Sequence, residues 1–249
     1  YGPDHAMTLQ LQGGLLSTSF FLESRDNAMA QQGLLLETSK RVFGPNAPPT
    51  QGQLFALGMM NLHQRRYAQA EECFRETSDG FRRLTGPAGY YTLWASTFLG
   101  VAARHNGKLE EAERILRNVV EGSQQSLGSE HPHTRDAMRH LAEVFTAEER
   151  FPEAETLYKK ALAEVPPRTW EDPRIRSAAL FGLAGLEARR GERSQALGHL
   201  RQAVELGFDD PQAFSRNPLL ASLRSDPAMA GLVAASEVNS RRPPVAPTP

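Results

Sequence analysis

The sequence predicts an all-α solenoid of stacked antiparallel helix pairs, and three regularities carry that prediction. Glycine opens successive segments at Gly2, Gly44, Gly86 and Gly128, each 42 residues after the last. Threonine keeps the same register at Thr8, Thr50, Thr92 and Thr134. Leucine recurs at Leu15, Leu57, Leu99, Leu141 and Leu183, and alanine at Ala28, Ala70, Ala112, Ala154 and Ala196. A period of this length holds two helices and their connectors, and such a pair must stack on its neighbours to bury both faces.

The third unit shows the pattern in detail. Thr97 to His105 carries Phe98, Leu99, Val101 and Ala102 on one face, and Asn106-Gly107 breaks the helix. The helix that follows carries Leu109, Ala112, Leu116, Val119 and Val120 at the three- and four-residue steps of an amphipathic stripe. Gly58, Gly100, Ala142 and Ala184 directly follow the repeating leucines, and their small size lets neighbouring helices approach. Gly44, Gly86 and Gly128 are expected as left-handed C′ residues after the second helices. Lys40-Arg41 and Arg82-Arg83 complement the helix dipole in the final turns. Pro45, Pro87 and Pro132 stop continuation into the next unit.

These signals place five helix pairs within 1–207, divided at about 1–42, 43–84, 85–126, 127–168 and 169–207. A helical C-terminal cap is expected over 208–238. There Asp210-Pro211, Asn217-Pro218 and Asp226-Pro227 each supply an N-cap followed by proline at the first helical position. Phe214, Leu219, Leu220, Leu223, Met229, Leu232 and Val233 are the apolar residues that would cover the last pair. Residues 239–249 are proline-rich and are expected to be disordered.

Composition bounds function. Hydrophobic residues make up 40% and charged residues 23% of 249, which suits a folded chain with a real core. A formal net charge of −1, with basic residues scattered along the chain, gives no general attraction for nucleic acid or an anionic membrane surface. No apolar run reaches the roughly 18 residues of a membrane span. Cys73 is the one cysteine, so no intramolecular disulfide forms, and a reducing, cytoplasmic location is expected.

Leu141-Ala142, Phe145, Phe151, Glu153-Ala154-Glu155, Tyr158 and Ala161-Leu162 together resemble the tetratricopeptide repeat signature. Leu57-Gly58, Tyr67, Ala70-Glu71 and Phe74 repeat it, as do Leu99-Gly100, Gly107 and Glu111-Ala112-Glu113. The 42-residue period, opening on Gly128, His131, Pro132 and Thr134, resembles the kinesin-light-chain type of this repeat. The first unit departs from the pattern at Arg25 and Gln32. The resemblance covers about 1–207 and implies a right-handed superhelix whose first helices line a concave, partner-binding groove. Leu200 to Pro227 also resembles the ends of bacterial tetratricopeptide proteins, many of them fused to Ser/Thr protein kinases. Because Tyr1 stands at a repeat opening, further repeats or another domain are expected ahead of it, with intramolecular contact to that domain.

Signatures of chemistry are missing. The sequence has no G-x-x-x-x-G-K-[ST], G-x-S-x-G or H-E-x-x-H run and no paired C-x-x-C. No catalytic residue, metal site or cofactor is therefore assigned. His131, His133 and His140 straddle a loop–helix junction and read as part of it rather than as metal ligands. Cys73 reads as a structural thiol, and Glu110-Glu111, Glu113 and Glu148-Glu149 as solvated helix faces.

Counting from the repeating alanine assigns the groove. Unit two contributes Phe55, Met59, Leu62 and His63, and unit three Trp94, Val101 and Arg104. Unit four contributes Arg139 and Glu143, and unit five Phe181 and Arg189. Phe55, Met59, Leu62 and Trp94 are expected as an exposed apolar stripe, with Arg104, Arg139 and Arg189 available to an acidic peptide. The lysines and asparagines with which some relatives hold a C-terminal carboxylate are absent: those positions hold Gly13, Phe55, Thr97, Arg139 and Phe181, then Ser17, Met59, Val101, Glu143 and Gly185. The function expected is a scaffold binding a protein or peptide, with no nucleic acid and no membrane insertion, in bacterial signalling. The alternative is a regulatory region of a larger Ser/Thr kinase or signal-transduction ATPase, and self-assembly through an open solenoid end is a further candidate.

Overall fold

The structure, a computed structural model, describes residue 2 and residues 5–22, 25–163 and 173–241. Its elements, among the described residues, are helices, and they fall into two compact units, residues 1–129 and 130–249.

The first unit contains α1 (Ala6–Leu22), α2 (Arg25–Phe43), α3 (Pro48–His63), α4 (Tyr67–Thr85), α5 (Tyr90–His105) and α6 (Leu109–Leu127). Each helix packs on the next, as a repeat array requires. The second unit contains α7 (Pro132–Ala147), α8 (Phe151–Ala161), α9 (Pro173–Arg189) and α10 (Arg193–Glu205). It is completed by α11 (Pro211–Arg216), a 3-10 helix at Pro218–Leu223 and α12 (Pro227–Ser240). The division expected near residue 168 lies outside the described residues, as do 242–249 of the expected tail. The helix α12 runs past the expected cap boundary at 238 to Ser240, because Asn239 donates to the carbonyls of Val204 (2.8 Å) and Phe208 (3.1 Å) and ties its last turn to α10.

The register of the repeat is a packing register. Ala70, Ala112, Ala154 and Ala196 are fully buried. Four residues on, Phe74, Leu116, Tyr158 and Leu200 are the large core side chains of the second helices. The small residues of the first helices accommodate them. A Cβ at Gly58 would lie 2.7 Å from Phe74 Cε1, and one at Gly100 2.6 Å from Leu116 Cγ. A carbon that close would force the Phe74 ring or the Leu116 side chain to shift, so glycine is favoured at both crossings.

Turn chemistry repeats as well. The first helices α3, α5, α7 and α9 end in the same paired bonds. Arg65 N–H donates to Leu62 O (3.0 Å) and Arg66 N–H to Asn61 O (2.8 Å), and the same pattern closes at 107–108, 149–150 and 191–192. These are Schellman closures, which need a positive φ at the first of the two donors, the one that bonds three residues back. Gly107 and Gly191 supply it at 78° and 79°; Arg65 and Glu149 adopt 60° and 59° without a glycine.

At the other junctions Gly44, Gly86 and Gly128 have positive φ as expected, but Gly86 and Gly128 are not left-handed helical. Their ψ values are 175° and 161°, an extended mirror-image conformation open in practice only to glycine. It exposes the carbonyl to the next helix, where Thr50 donates to Gly44 O (2.8 Å) and Thr92 to Gly86 O (2.9 Å). At these two junctions the 42-residue spacing of glycine and threonine is this bond repeated.

The helices after residue 209 begin at the three Asx-Pro steps. Asp210 accepts from Gln212 and Ala213 N–H, Asn217 from Leu219 N–H and Asp226 from Ala228 N–H. Phe214, Leu220, Leu223, Met229 and Leu232 are thereby buried with Leu197, Leu200 and Val204 of α10.

Candidate functional site

The first helices of the first unit share an unusual composition. Neither α1 nor α3 contains an Asp, Glu, Lys or Arg, and α5 contains only Arg104. The second helices α2, α4 and α6 carry the charge. A face without charge favours contact with apolar and neutral polar groups over ions.

Aromatic rings organise that face. Phe55 on α3 stacks against Trp94 on α5, with centroids 4.0 Å apart and planes 23° from parallel. Phe98, one turn after Trp94, meets Phe55 edge-on at 5.4 Å and Trp94 at 5.9 Å. Phe74 of α4 lies behind, 5.3 Å from Phe55 and 5.6 Å from Phe98. Trp94 and Phe98 are half-buried and keep part of their surface open. Phe55 is buried, at 8% exposure, because Trp94, Phe98 and Phe74 enclose it. It supports the stripe from beneath instead of sharing its surface. Of the other assigned residues here, Met59, Leu62 and Arg104 are half-buried, Val101 is buried and His63 is exposed at the end of α3. Sequence reasoning left Phe98 out of the site; the signal was its four-residue step from Trp94, which puts both rings on one helix face.

In the second unit the assigned residues are already engaged. Arg139 holds Asp136 Oδ1 at 2.6 Å and also binds Glu143, both on α7. His140 lies 3.2 Å from Glu143 and 3.7 Å from Asp136. Burial alone would raise the Asp136 carboxyl and lower the guanidinium; the mutual charges outweigh it, so Asp136 titrates lower and Arg139 higher than usual. An acidic peptide would have to displace an existing carboxylate. Phe181 is buried, stacked on Phe208 at 4.3 Å and edge-on to Phe214 at 5.2 Å, as part of the core under the cap. Arg189 is exposed and lies over the Phe151 ring, 4.7 Å from its centroid.

A cleft of about 670 Å³ lies between α4, α5 and α6, bordered by Arg75, Ser78, Asp79, Ser96, Arg82 and Arg114. Arg75 is bound to Glu71 and Glu111, Arg82 to Asp79, and Ser78 to Ser96 at 2.7 Å. Cys73 is a poor nucleophile: burial, with Glu72 and Glu76 nearby, pushes its thiol up to about 11. Among the described residues no group of three His, Cys, Asp or Glu is placed to hold a metal, and no helix is long and apolar enough to cross a membrane. His131 accepts from His133 N–H at 3.1 Å and caps α7, and burial lowers His133 to about 4.

The tetratricopeptide repeat family profile matches residues 51–117 and 91–163. No curated protein matches by sequence. Among solved structures, kinesin light chain TPR-like repeats from Podosopora anserina are 19% identical, with a TM-score of 0.64 over 85% of this chain and 98% of theirs. BtubC (BKLC) from P. vanneervenii is 14% identical, with a TM-score of 0.67 over 81% of this chain and 80% of its own. A Rap protein solved in complex with Competence and Sporulation Factor is 12% identical, with a TM-score of 0.65 over 94% of this chain and 64% of its own. At these identities the likeness is one of fold.

Proposed function

Since the chain is a tetratricopeptide repeat protein, we propose that it is an interaction scaffold holding a protein or peptide segment on the first-helix face of residues 1–129. The observation that carries this reading is the half-open Trp94 and Phe98 rings, packed on buried Phe55 and borne on helices almost without charge. Rings held in place by other rings lose little freedom when a ligand side chain packs on them, which makes them effective anchors. Trp94, Phe98, Met59 and Leu62 form the proposed contact surface, with Phe55 and Val101 supporting it and His63 and Arg104 near its ends. The ligand that fits is an apolar or aromatic segment of low charge. The peptide-bound state of the Rap neighbour is consistent with this use of the fold. Within the same proposal, a place in bacterial signalling and beside a kinase or ATPase domain rests on the resemblance of Leu200–Pro227 alone.

Selection from a displayed peptide library tests the reading, with a Trp94→Ala, Phe98→Ala chain as counter-screen. Low-charge aromatic or aliphatic sequences should be enriched on the wild type and lost on the variant. A Trp170→Phe background leaves Trp94 as the single tryptophan of the two, so bound peptide should shift its fluorescence. Peptides that bind both proteins equally would place the site elsewhere.

A further inference from the structure

The aromatic face carries a hydrogen-bond donor that the fold leaves unused. Trp94 is half-buried and stacks on Phe55 through its ring. Its indole Nε1–H meets no acceptor among the described residues and stays open to solvent.

Acceptors, by contrast, are scarce there. The helices α1, α3 and α5 contain no Asp or Glu. Their neutral polar side chains are spent inside the fold: Gln51 donates to Pro45 O, Gln53 to Leu9 O, Asn61 to Leu57 O and Thr97 to Leu93 O. From Gly52 to Leu62 the positions α3 leaves open or half-open are Gly52, Ala56, Leu57, Met59 and Leu62, none with a polar side chain.

A donor without acceptors selects the backbone that a ligand can bring. A helical segment satisfies its own N–H groups, but the carbonyls along its middle are already bonded, so it would bury the Trp94 donor unpaired. An extended segment has carbonyls to spare, yet its N–H groups turned to the face would lose water and find no acceptor. A proline-rich segment in the polyproline II conformation has carbonyls free of internal bonds and few N–H groups, so it meets both conditions. Its stiffness also leaves little freedom to lose on binding, and its rings pack on flat aromatic surfaces.

Ring spacing sets a length. Tyr90, 43% exposed, stands one turn before Trp94 and Phe98 one turn after, so the three share one side of α5. From Tyr90 to Phe98 is roughly 12 Å of helix, which about four residues of polyproline II at ~3.1 Å each would span.

We propose that the segment held on the Tyr90–Trp94–Phe98 side of α5 is a proline-rich stretch of a partner protein, in polyproline II conformation, with one of its carbonyls accepting from Trp94 Nε1–H. The proposal rests on the first-helix face being the ligand site and adds the chemistry of what that face holds.

The displayed-library selection and two follow-up measurements test it. Sequences held by the wild type and lost on Trp94→Ala, Phe98→Ala should be enriched in proline. A selected peptide should bind about tenfold more tightly by titration calorimetry than the same peptide with alanine at each proline. Trp94→Phe keeps a ring and removes the donor, and should weaken the proline-rich peptide about fivefold with helicity and melting unchanged. In the Trp170→Phe background, which keeps the fold's aromatic face intact, the Trp94 indole N–H gives a single nitrogen–proton signal, and it should move downfield as the peptide is added. Selected peptides that need Trp94 and Phe98 but show no excess of proline overturn this inference and leave the interaction face standing. So do an alanine-substituted peptide that binds equally well and an indole signal that stays in place. Peptides indifferent to Trp94→Ala, Phe98→Ala overturn both.

Discussion

Arg65 and Glu149 stand where the repeat otherwise places glycine. At φ of 60° and 59° their Cβ atoms crowd the backbone, and the Schellman bonds hold them there. Arg65→Gly and Glu149→Gly should each stabilise the protein by about 1 kcal/mol, read as a higher denaturant midpoint. Gly107→Ala, at φ 78°, should cost a similar ~1 kcal/mol. If Arg65→Gly lowers the midpoint, its backbone is not the source of strain. Residue scale is also where sequence reading met its limit. Phe55 looked exposed from helix phase alone, and its enclosure depends on Trp94 and Phe98, about forty residues later. The engagement of Arg139 was legible, since Asp136 and Glu143 stand at its three- and four-residue steps.

Between elements, the signature glutamate after the repeating alanine acts as a staple. Glu71 on α4 accepts from Lys108 Nζ (2.7 Å) and Asn106 Nδ2 (2.6 Å) in the α5–α6 turn and from Arg75 (2.7 Å) on its own helix. Glu155 does the same in the second unit, binding Arg190 of the α9–α10 turn at 2.6 Å. Burial alone would raise the Glu71 carboxyl, but the three donors outweigh it and hold it below its ordinary 4.5. A carboxyl lowered on folding contributes stability that is present above about pH 4.5 and lost as pH falls through the lowered value. Thermal melting from pH 6 down should therefore steepen below about pH 4.5, and Glu71→Gln should flatten that dependence while costing about 2 kcal/mol near neutrality. Equal slopes would show that other carboxyls dominate the acid limb. The helix crossings give a second test at this scale. Gly100→Ala forces a Cβ to 2.6 Å from Leu116 Cγ, and about 1–3 kcal/mol should be lost.

Across the whole chain, the architecture was readable because each regular position has one physical job. The repeating alanines and the leucines from Leu99 onward mark core, Gly44, Gly86 and Gly128 mark reversed φ, and Thr50 and Thr92 close the turn on glycine carbonyls. The helix starts after residue 209 were readable from three Asx-Pro steps whose side chains accept from the first backbone N–H groups that follow. Which parts of the first-helix surface stay open was less so, since exposure is set by neighbours far away in sequence. Phe181 is covered by Phe208 and Phe214, which lie in the cap. The first-unit helices have almost no charge and the Trp94–Phe98 surface stays half open, and the account rests on that combination. The measurement that tests it most directly is the affinity of a library-selected peptide for wild-type protein and for Trp94→Ala, both with matched helicity and melting. The account expects roughly a thirtyfold loss, about 2 kcal/mol, as for a central aromatic anchor. An affinity unchanged within about twofold would contradict it.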